Sequence, residues 1–268
     1  MIEEKKFEDL IYEVKDKVAI ITFNRPEKLN SVRAQGMAEL YQALKEAEGD
    51  DEVGAVILAG KGSSFCAGAD FGDTFGTMLE IDYKSWQEQI VQPMIRIYKT
   101  ITDIPKPVIA AIQGYAVGGG VDIAATCDIR IAAEDTKFAE VFVKNAINPE
   151  ACNFYMPRLI GLGRALLYSF TSDTITAVEA ERIGLVEKVV KNEELMEASM
   201  ALATRFANGP RQAIAATKKL MHQALETNNL DVTLETSFDS MFRLIKTEDF
   251  HEVVNAFAEK RKPVYKGI

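Results

Sequence analysis

The stretch Lys106-Pro-Val-Ile-Ala-Ala-Ile-Gln-Gly-Tyr-Ala-Val-Gly-Gly-Gly120 decides the fold class. Pro105 and Pro107 close a preceding helical pattern, and residues 108–112 form an unbroken apolar run too short for a helix. A run of that kind between breakers reads as a strand buried on both faces. The glycines from Gly114 to Gly120 turn the chain, and apolar residues from about Val121 open a helix. The same pattern recurs on either side. Residues 53–58 (VGAVIL) are a second apolar strand, followed by a glycine-rich loop over 60–72, and residues 128–132 are a third strand. Residues 10–23 read as two strands about the polar turn Lys15-Asp16-Lys17. Helical spacing covers 34–47 through Met37, Leu40, Tyr41 and Leu44, and 83–102 through Trp86, Ile90, Met94, Ile97 and Ile101. Apolar strands separated by helices require a sheet covered on both sides, hence an α/β architecture.

After about residue 192 the character changes. Residues 193–207, 211–226, 231–244 and 249–259 are helical patterns with no strand-like run between them. The expected division is an α/β core over 1–192 and a helical region over 193–268. No Gly/Ser/Pro-rich linker separates them, so the two parts are expected to dock.

The chain has 268 residues, 47% of them hydrophobic and 26% charged, which is the composition of a globular protein with a large core. With 31 Lys and Arg against 40 Asp and Glu, the net charge is −9, which argues against a nucleic acid partner. Three cysteines, an odd number without CxxC spacing, fit a reducing cytoplasm. The segment MIEEKKFEDL lacks the apolar stretch of a signal peptide, and no apolar run approaches the roughly 18 residues of a membrane span.

Several chemistries are missing. His222 and His251, the two histidines, lie in helical patterns without a Cys, Asp or Glu cluster at metal-ligand spacing, so no metal is expected. There is no GxSxG elbow, and Ala59-Gly60-Lys61-Gly62-Ser63-Ser64 fails the phosphate-loop pattern at both ends. What remains is a pair of strand-to-helix turns, Ser64-Phe-Cys-Ala-Gly-Ala-Asp70 and 114–120. Small residues there let a ligand approach the backbone, and two N–H groups converging on one oxygen would make an oxyanion hole. The same glycines also serve tight turns, and the residues alone leave both readings open.

Together these segments resemble the crotonase, or enoyl-CoA hydratase/isomerase, superfamily. The resemblance rests on Phe23-Asn-Arg-Pro-Glu-Lys-Leu-Asn30, on both glycine turns and on Cys127-Asp-Ile-Arg-Ile-Ala132. Thr176-Ala-Val-Glu-Ala-Glu-Arg-Ile-Gly-Leu-Val186 and Ala256-Phe-Ala-Glu-Lys-Arg-Lys-Pro263 extend it nearly end to end. It implies a ClpP-like spiral of ββα units with C-terminal helices that build a homotrimer or a hexamer of two trimers. It also implies an acyl-CoA thioester ligand, with no cofactor beyond the coenzyme A of the substrate. By position, the oxyanion hole would be the backbone N–H groups of Ala69 and Gly119. Coenzyme A would lie near Arg25, Lys28, Ala67 and Asp70, with Lys260 reaching its phosphates, from a neighbouring subunit or its own. The alternative for Lys28 and Lys260 is a solvated surface lysine.

The carboxylates depart from the hydratase pattern, which places one glutamate after the glycine turn and another in a block like FGxPE. The first position here is Asp122 and the second is Phe142, with Glu140 two residues earlier and, by strand alternation, on the face of Phe142. Glu150, in Asn148-Pro-Glu-Ala151, resembles the single acid of enoyl-CoA isomerases, and GGGVD resembles the dienoyl-CoA isomerases. Phe142, Phe154 and Tyr155 are expected to wall off Glu150 from water. Asp122 also suits the first turn of a helix, and Glu150 a solvated loop. The resemblance therefore implies an isomerase that shifts a C=C bond, with Glu150 as proton shuttle and Asp122 assisting. The alternatives are a hydratase using Asp122 with Glu150 or Glu140, and a non-catalytic coenzyme A- or RNA-binding homologue.

Overall fold

The computed structural model describes residues 5–70, 72, 78–227 and 229–267. Strands β1 (Lys5–Lys6), β2 (Leu10–Lys15), β3 (Val18–Phe23), β4 (Ala55–Gly60), β5 (Val108–Ile112), β7 (Ile129–Ala133) and β10 (Lys188–Val190) make one sheet in the order β1-β2-β3-β4-β5-β7-β10. β1, β2 and β3 pair antiparallel, and from β3 onward all neighbours are parallel. Asp16 and Lys17, with φ of 51° and 64°, form the β2–β3 turn at the expected place. The expected strand over 53–58 is shifted two residues, to β4. Val53 and Gly54 lead into it, and the Gly54 N–H is bonded to the Lys17 carbonyl.

Alternation in the central strands sorts their side chains onto two cores. Val56 and Leu58 of β4, with Val108, Ala110 and Ile112 of β5, face the helices Ala34–Gly49, Gln92–Asp103 and Gly119–Thr126. Ala55, Ile57, Ala59, Ile109 and Ala111 face the other way, onto Leu195, Ala203 and Ala207 of the helix Leu195–Ala207. That helix completes the sandwich, so the packed core runs on to residue 207, past the division expected at 192. The helical pattern over 83–102 is the helix Tyr83–Trp86, a wider turn over Gln87–Val91 and the helix Gln92–Asp103.

A second sheet went unread in the sequence. β6 (Tyr115–Val117) pairs parallel with β8 (Lys137–Ala139), and β8 pairs antiparallel with β9 (Ile175–Thr176). β5 and β6, and then β7 and β8, each place one strand in either sheet, with a helix leading on to the next repeat. This winding makes the spiral and carries the glycine turns to the seam between sheets.

The C-terminal helices Arg211–Glu226, Leu230–Leu244 and Glu248–Ala258 follow. Lys218 latches the first of them to the core. Its buried ammonium donates to the carbonyls of Ile101 (2.8 Å) and Lys106 (3.1 Å) and to Asp128 Oδ2 (2.7 Å). Among the described residues no helix is long and apolar enough to cross a membrane.

Candidate active site

The two glycine turns lie side by side because the chain around Cys66 runs parallel to β6. The Cys66 N–H donates to the Tyr115 carbonyl and the Val117 N–H to the Cys66 carbonyl, both at 3.0 Å. On its other edge the same segment bridges Val32, through the Gly68 carbonyl and the Asp70 N–H. Such a bridge turns the Ala69 N–H away from Val32. Gly119 is the first residue of the helix Gly119–Thr126, where backbone N–H groups have no partner within the helix. The expected helix start at Val121 is thus two residues late, since first-turn glycines lose no helical hydrogen bond. Gly68, at φ +86°, must be glycine: a Cβ there would stand 2.6 Å from the Val117 carbonyl oxygen and 3.3 Å from the Gly119 nitrogen. At Gly120 a Cβ would meet the Cys66 carbonyl oxygen at 2.2 Å.

Ala67, Ala69 and Gly119 all line a cleft of about 1060 Å³. Its wall is largely apolar, with Met37, Met78, Ile81, Ile90, Met94 and Phe142. Glu150 faces the same cleft, and its Oε2 accepts a hydrogen bond from the Tyr98 hydroxyl at 2.9 Å. Glu150 stays open to solvent rather than walled off from it, but the protein packed around the carboxyl desolvates it enough to raise its proton affinity, and the bond from Tyr98 opposes that rise. The structure therefore brings two backbone donors and the Glu150 carboxylate to one largely apolar cleft. That set can hold an oxyanion while a proton is taken from, or given to, a neighbouring carbon.

Behind this wall lies a buried acidic cluster. Asp122 is fully buried, does not reach the cleft, and accepts the Cys152 N–H on Oδ1 at 2.5 Å. Glu140 is buried as well, and both its carboxylate oxygens, like Asp122 Oδ2, lack a hydrogen-bond partner. Desolvation pushes Asp122 up to about 7 and Glu140 up to about 8, and the negative charge of neighbouring carboxylates adds to both. Glu140 and Phe142 do not share a face. β8 ends at Ala139, and Phe142 caps the short 3-10 turn Val143–Asn145, so Glu140 points inward while Phe142 reaches the cleft.

Other expected site residues are placed differently. The Arg25 guanidinium is held inside the protein by Asp70 Oδ2 (2.8 Å) and the Ser31 carbonyl (2.7 Å). Arg25 and Asp70 brace the loop rather than line the cleft. Lys28 and Lys260 are exposed, on the turn Pro26–Lys28 and beyond the helix Glu248–Ala258, and neither lines the cleft. Phe154 and Tyr155 also stand off it: Arg158 stacks on the Phe154 ring at 3.6 Å, and Tyr155 packs against the main core. Tyr98 was missed, although the spacing Ile90, Met94, Tyr98 puts it on the helix face that lines the cleft. Among the described residues no group of three His, Cys, Asp or Glu side chains is arranged to hold a metal ion.

Comparison with known proteins places nearly the whole chain in a family. The enoyl-CoA hydratase/isomerase family pattern matches residues 13–268. The short-chain-enoyl-CoA hydratase of Clostridium acetobutylicum is 35% identical over 95% of this chain and 96% of its own. The 1,2-epoxyphenylacetyl-CoA isomerase of Escherichia coli is 33% identical over 97% of this chain and 99% of its own. The crystal structure of a candidate enoyl-CoA hydratase from Streptomyces coelicolor A3(2) superposes with a TM-score of 0.94 at 34% identity, covering 98% of this chain and 96% of that one. The chain belongs to the enoyl-CoA hydratase/isomerase family and is an acyl-CoA enzyme of the crotonase fold.

Proposed function

We propose that the enzyme shifts a carbon–carbon double bond of an enoyl- or dienoyl-CoA. One observation carries this reading: of the three neighbouring carboxylates Asp122, Glu140 and Glu150, Glu150 alone lines the cleft, and Phe142 fills the position where hydratases carry their second glutamate. Hydration needs one group to activate water and another to deliver a proton, whereas isomerisation needs one group that does both in turn. The Glu150 carboxylate removes a proton from the α or γ carbon. The resulting enolate oxygen is held by the N–H groups of Ala69 and Gly119. The Glu150 acid then returns the proton at the other carbon, so the product has the mass of the substrate and no cofactor is consumed. Asp122, walled off from the cleft, assists Glu150 without touching the substrate.

The exposed Lys28 and Lys260 are suited to the phosphates of coenzyme A. The division at about residue 192 is proposed in a functional sense, with the later helices assembling a homotrimer or a dimer of trimers. Phe238, Phe242 and Phe257 stand more than half exposed on these helices, a large apolar surface for an isolated chain. Three buried, unpaired cysteines support a cytoplasmic setting.

The test is a mass-resolved product assay on linear 2-, 3- and dienoyl-CoA thioesters and cyclic analogues, with wild type and Glu150→Gln. A product of unchanged mass that vanishes in the variant is expected. A gain of one water would overturn the isomerase reading in favour of a hydratase.

A further inference from the structure

Glu140 has no place in the reaction described above, yet it is 1% exposed with both oxygens unpartnered. Asp122, fully buried, leaves Oδ2 unpartnered as well. The Cys152 thiol faces both carboxylates, and the Cys152 N–H is bonded to Asp122 Oδ1. The other titratable groups acting on this cluster are Glu150 and Tyr98, so among the described residues no cation faces it. Two carboxylates buried together without a counter-charge cannot both ionise, and a buried acceptor left empty is costly.

We infer that Glu140 and Asp122 form a proton-sharing pair, in which the Glu140 acid donates to Asp122 Oδ2 and the pair carries a single negative charge behind Glu150. One proton then closes the hydrogen bonding of the whole cluster. Glu140 donates through one oxygen and accepts the Cys152 S–H on the other, while Asp122 accepts from Glu140 on Oδ2 and from the Cys152 N–H on Oδ1. The charge rests on Asp122, beside the N-terminal turn of the helix Cys152–Ile160, where a negative charge is favoured. Desolvation favours a bound proton on either group, and both are raised toward neutrality.

Glu140 is thus a positioning residue. It fixes Asp122 as the anion, and Asp122 in turn raises the proton affinity of Glu150, two residues before Cys152. The effect on Glu150 rests on the reaction proposed above, but the shared proton does not. The experiment therefore reads the proton directly.

Infrared spectra of Glu150→Gln at pH 7 remove the cleft carboxyl from view, and the exposed carboxylates are ionised at that pH. The expected spectrum contains the carbonyl stretch of one protonated carboxylic acid, sensitive to deuterium exchange and absent from Glu140→Gln/Glu150→Gln. No such band in the single variant, or one that persists in the double variant, overturns the pair. A second readout needs only the Glu150-containing enzyme. Asp122→Asn withdraws the negative charge, so the acidic limb of kcat/KM is expected to move to lower pH. A purely structural role for the cluster would lower stability and leave that limb in place. If the infrared band is present while no isomerised product forms, the pair stands and the isomerase reading falls.

Discussion

The Tyr98 hydroxyl donates to Glu150 Oε2 at 2.9 Å, joining the helix Gln92–Asp103 to a loop 52 residues further along the chain. The bond fixes the carboxyl group on one side and leaves its other oxygen for the cleft. It also stabilises the ionised form, the form that the proposed proton transfer starts from. The proposed base is therefore held between two opposing influences, desolvation raising its proton affinity and the tyrosine lowering it.

Tyr98→Phe removes the restraint and little volume. A hydrogen bond to a charged group contributes about 1.5–3 kcal/mol, so kcat is expected to fall roughly 10- to 100-fold. Without the hydroxyl the proton affinity of Glu150 rises, and the acidic limb of kcat/KM moves to higher pH, opposite in direction to Asp122→Asn. A pH–rate profile that keeps its position in Tyr98→Phe would sink this role.

Gly120→Ala tests the seam between the turns. The new methyl group would lie 2.2 Å from the Cys66 carbonyl oxygen, so backbone must move rather than a side chain. A stability loss of about 1–3 kcal/mol or more is expected, with activity lost to a greater degree, because Gly119 moves too. Denaturant unfolding and kcat/KM check both parts, and an enzyme with unchanged activity would contradict the geometry.

Stability against pH reports on Glu140. Its folded-state value, about 8, lies above the usual 4.5, so the folded protein holds a proton that the unfolded chain releases. Stability therefore falls as pH rises through that window, by at most about 1.4 kcal/mol per pH unit for each proton held. Glu140→Gln removes this slope. The variant is expected to gain on wild type between pH 5 and pH 8 in urea unfolding series. Parallel curves would show that Glu140 holds no proton.

Lys218→Met keeps length and removes the ammonium. Asp128 Oδ2 would retain only the Val108 N–H, and the Ile101 and Lys106 carbonyls would each lose a donor. Breaking a buried ion pair from one side costs about 3–5 kcal/mol. Early proteolytic cleavage between 207 and 211, with a lowered Tm, is expected. Protection equal to wild type would mean that apolar contacts alone hold the C-terminal helices.

The parts legible in the sequence were those with local causes. Apolar runs such as 108–112, the turn at Asp16 and Lys17, and the glycines beside Ala69 and Gly119 each obey rules that act over a few residues. The place of Glu150 in the cleft wall was legible by resemblance, since Pro149 and its surroundings form a motif. The rest depends on partners far away in the chain. Arg25 reads as a free cation until Asp70 closes on it, and Tyr98 reads as one more apolar helix position until Glu150 reaches it. Glu140 reads as a strand residue alternating with Phe142, but β8 stops one residue too early for that alternation to hold. The second sheet was hidden for a similar reason: β6 is three residues long and pairs with β8, beyond one helix and a strand of the large sheet.

The pairing of the Cys66 segment with β6 has a kinetic consequence. Its two sides stand roughly fifty positions apart, and each is anchored to a different strand of the large sheet. Contacts between distant segments are among the last to form, because loop entropy must be lost before they are gained. The proposed oxyanion hole has no local precursor, so a partly folded chain carries its residues without its function. Recovery of activity during refolding should accordingly trail recovery of helical circular dichroism, and turnover itself marks the moment at which one turn of the spiral closes on the next.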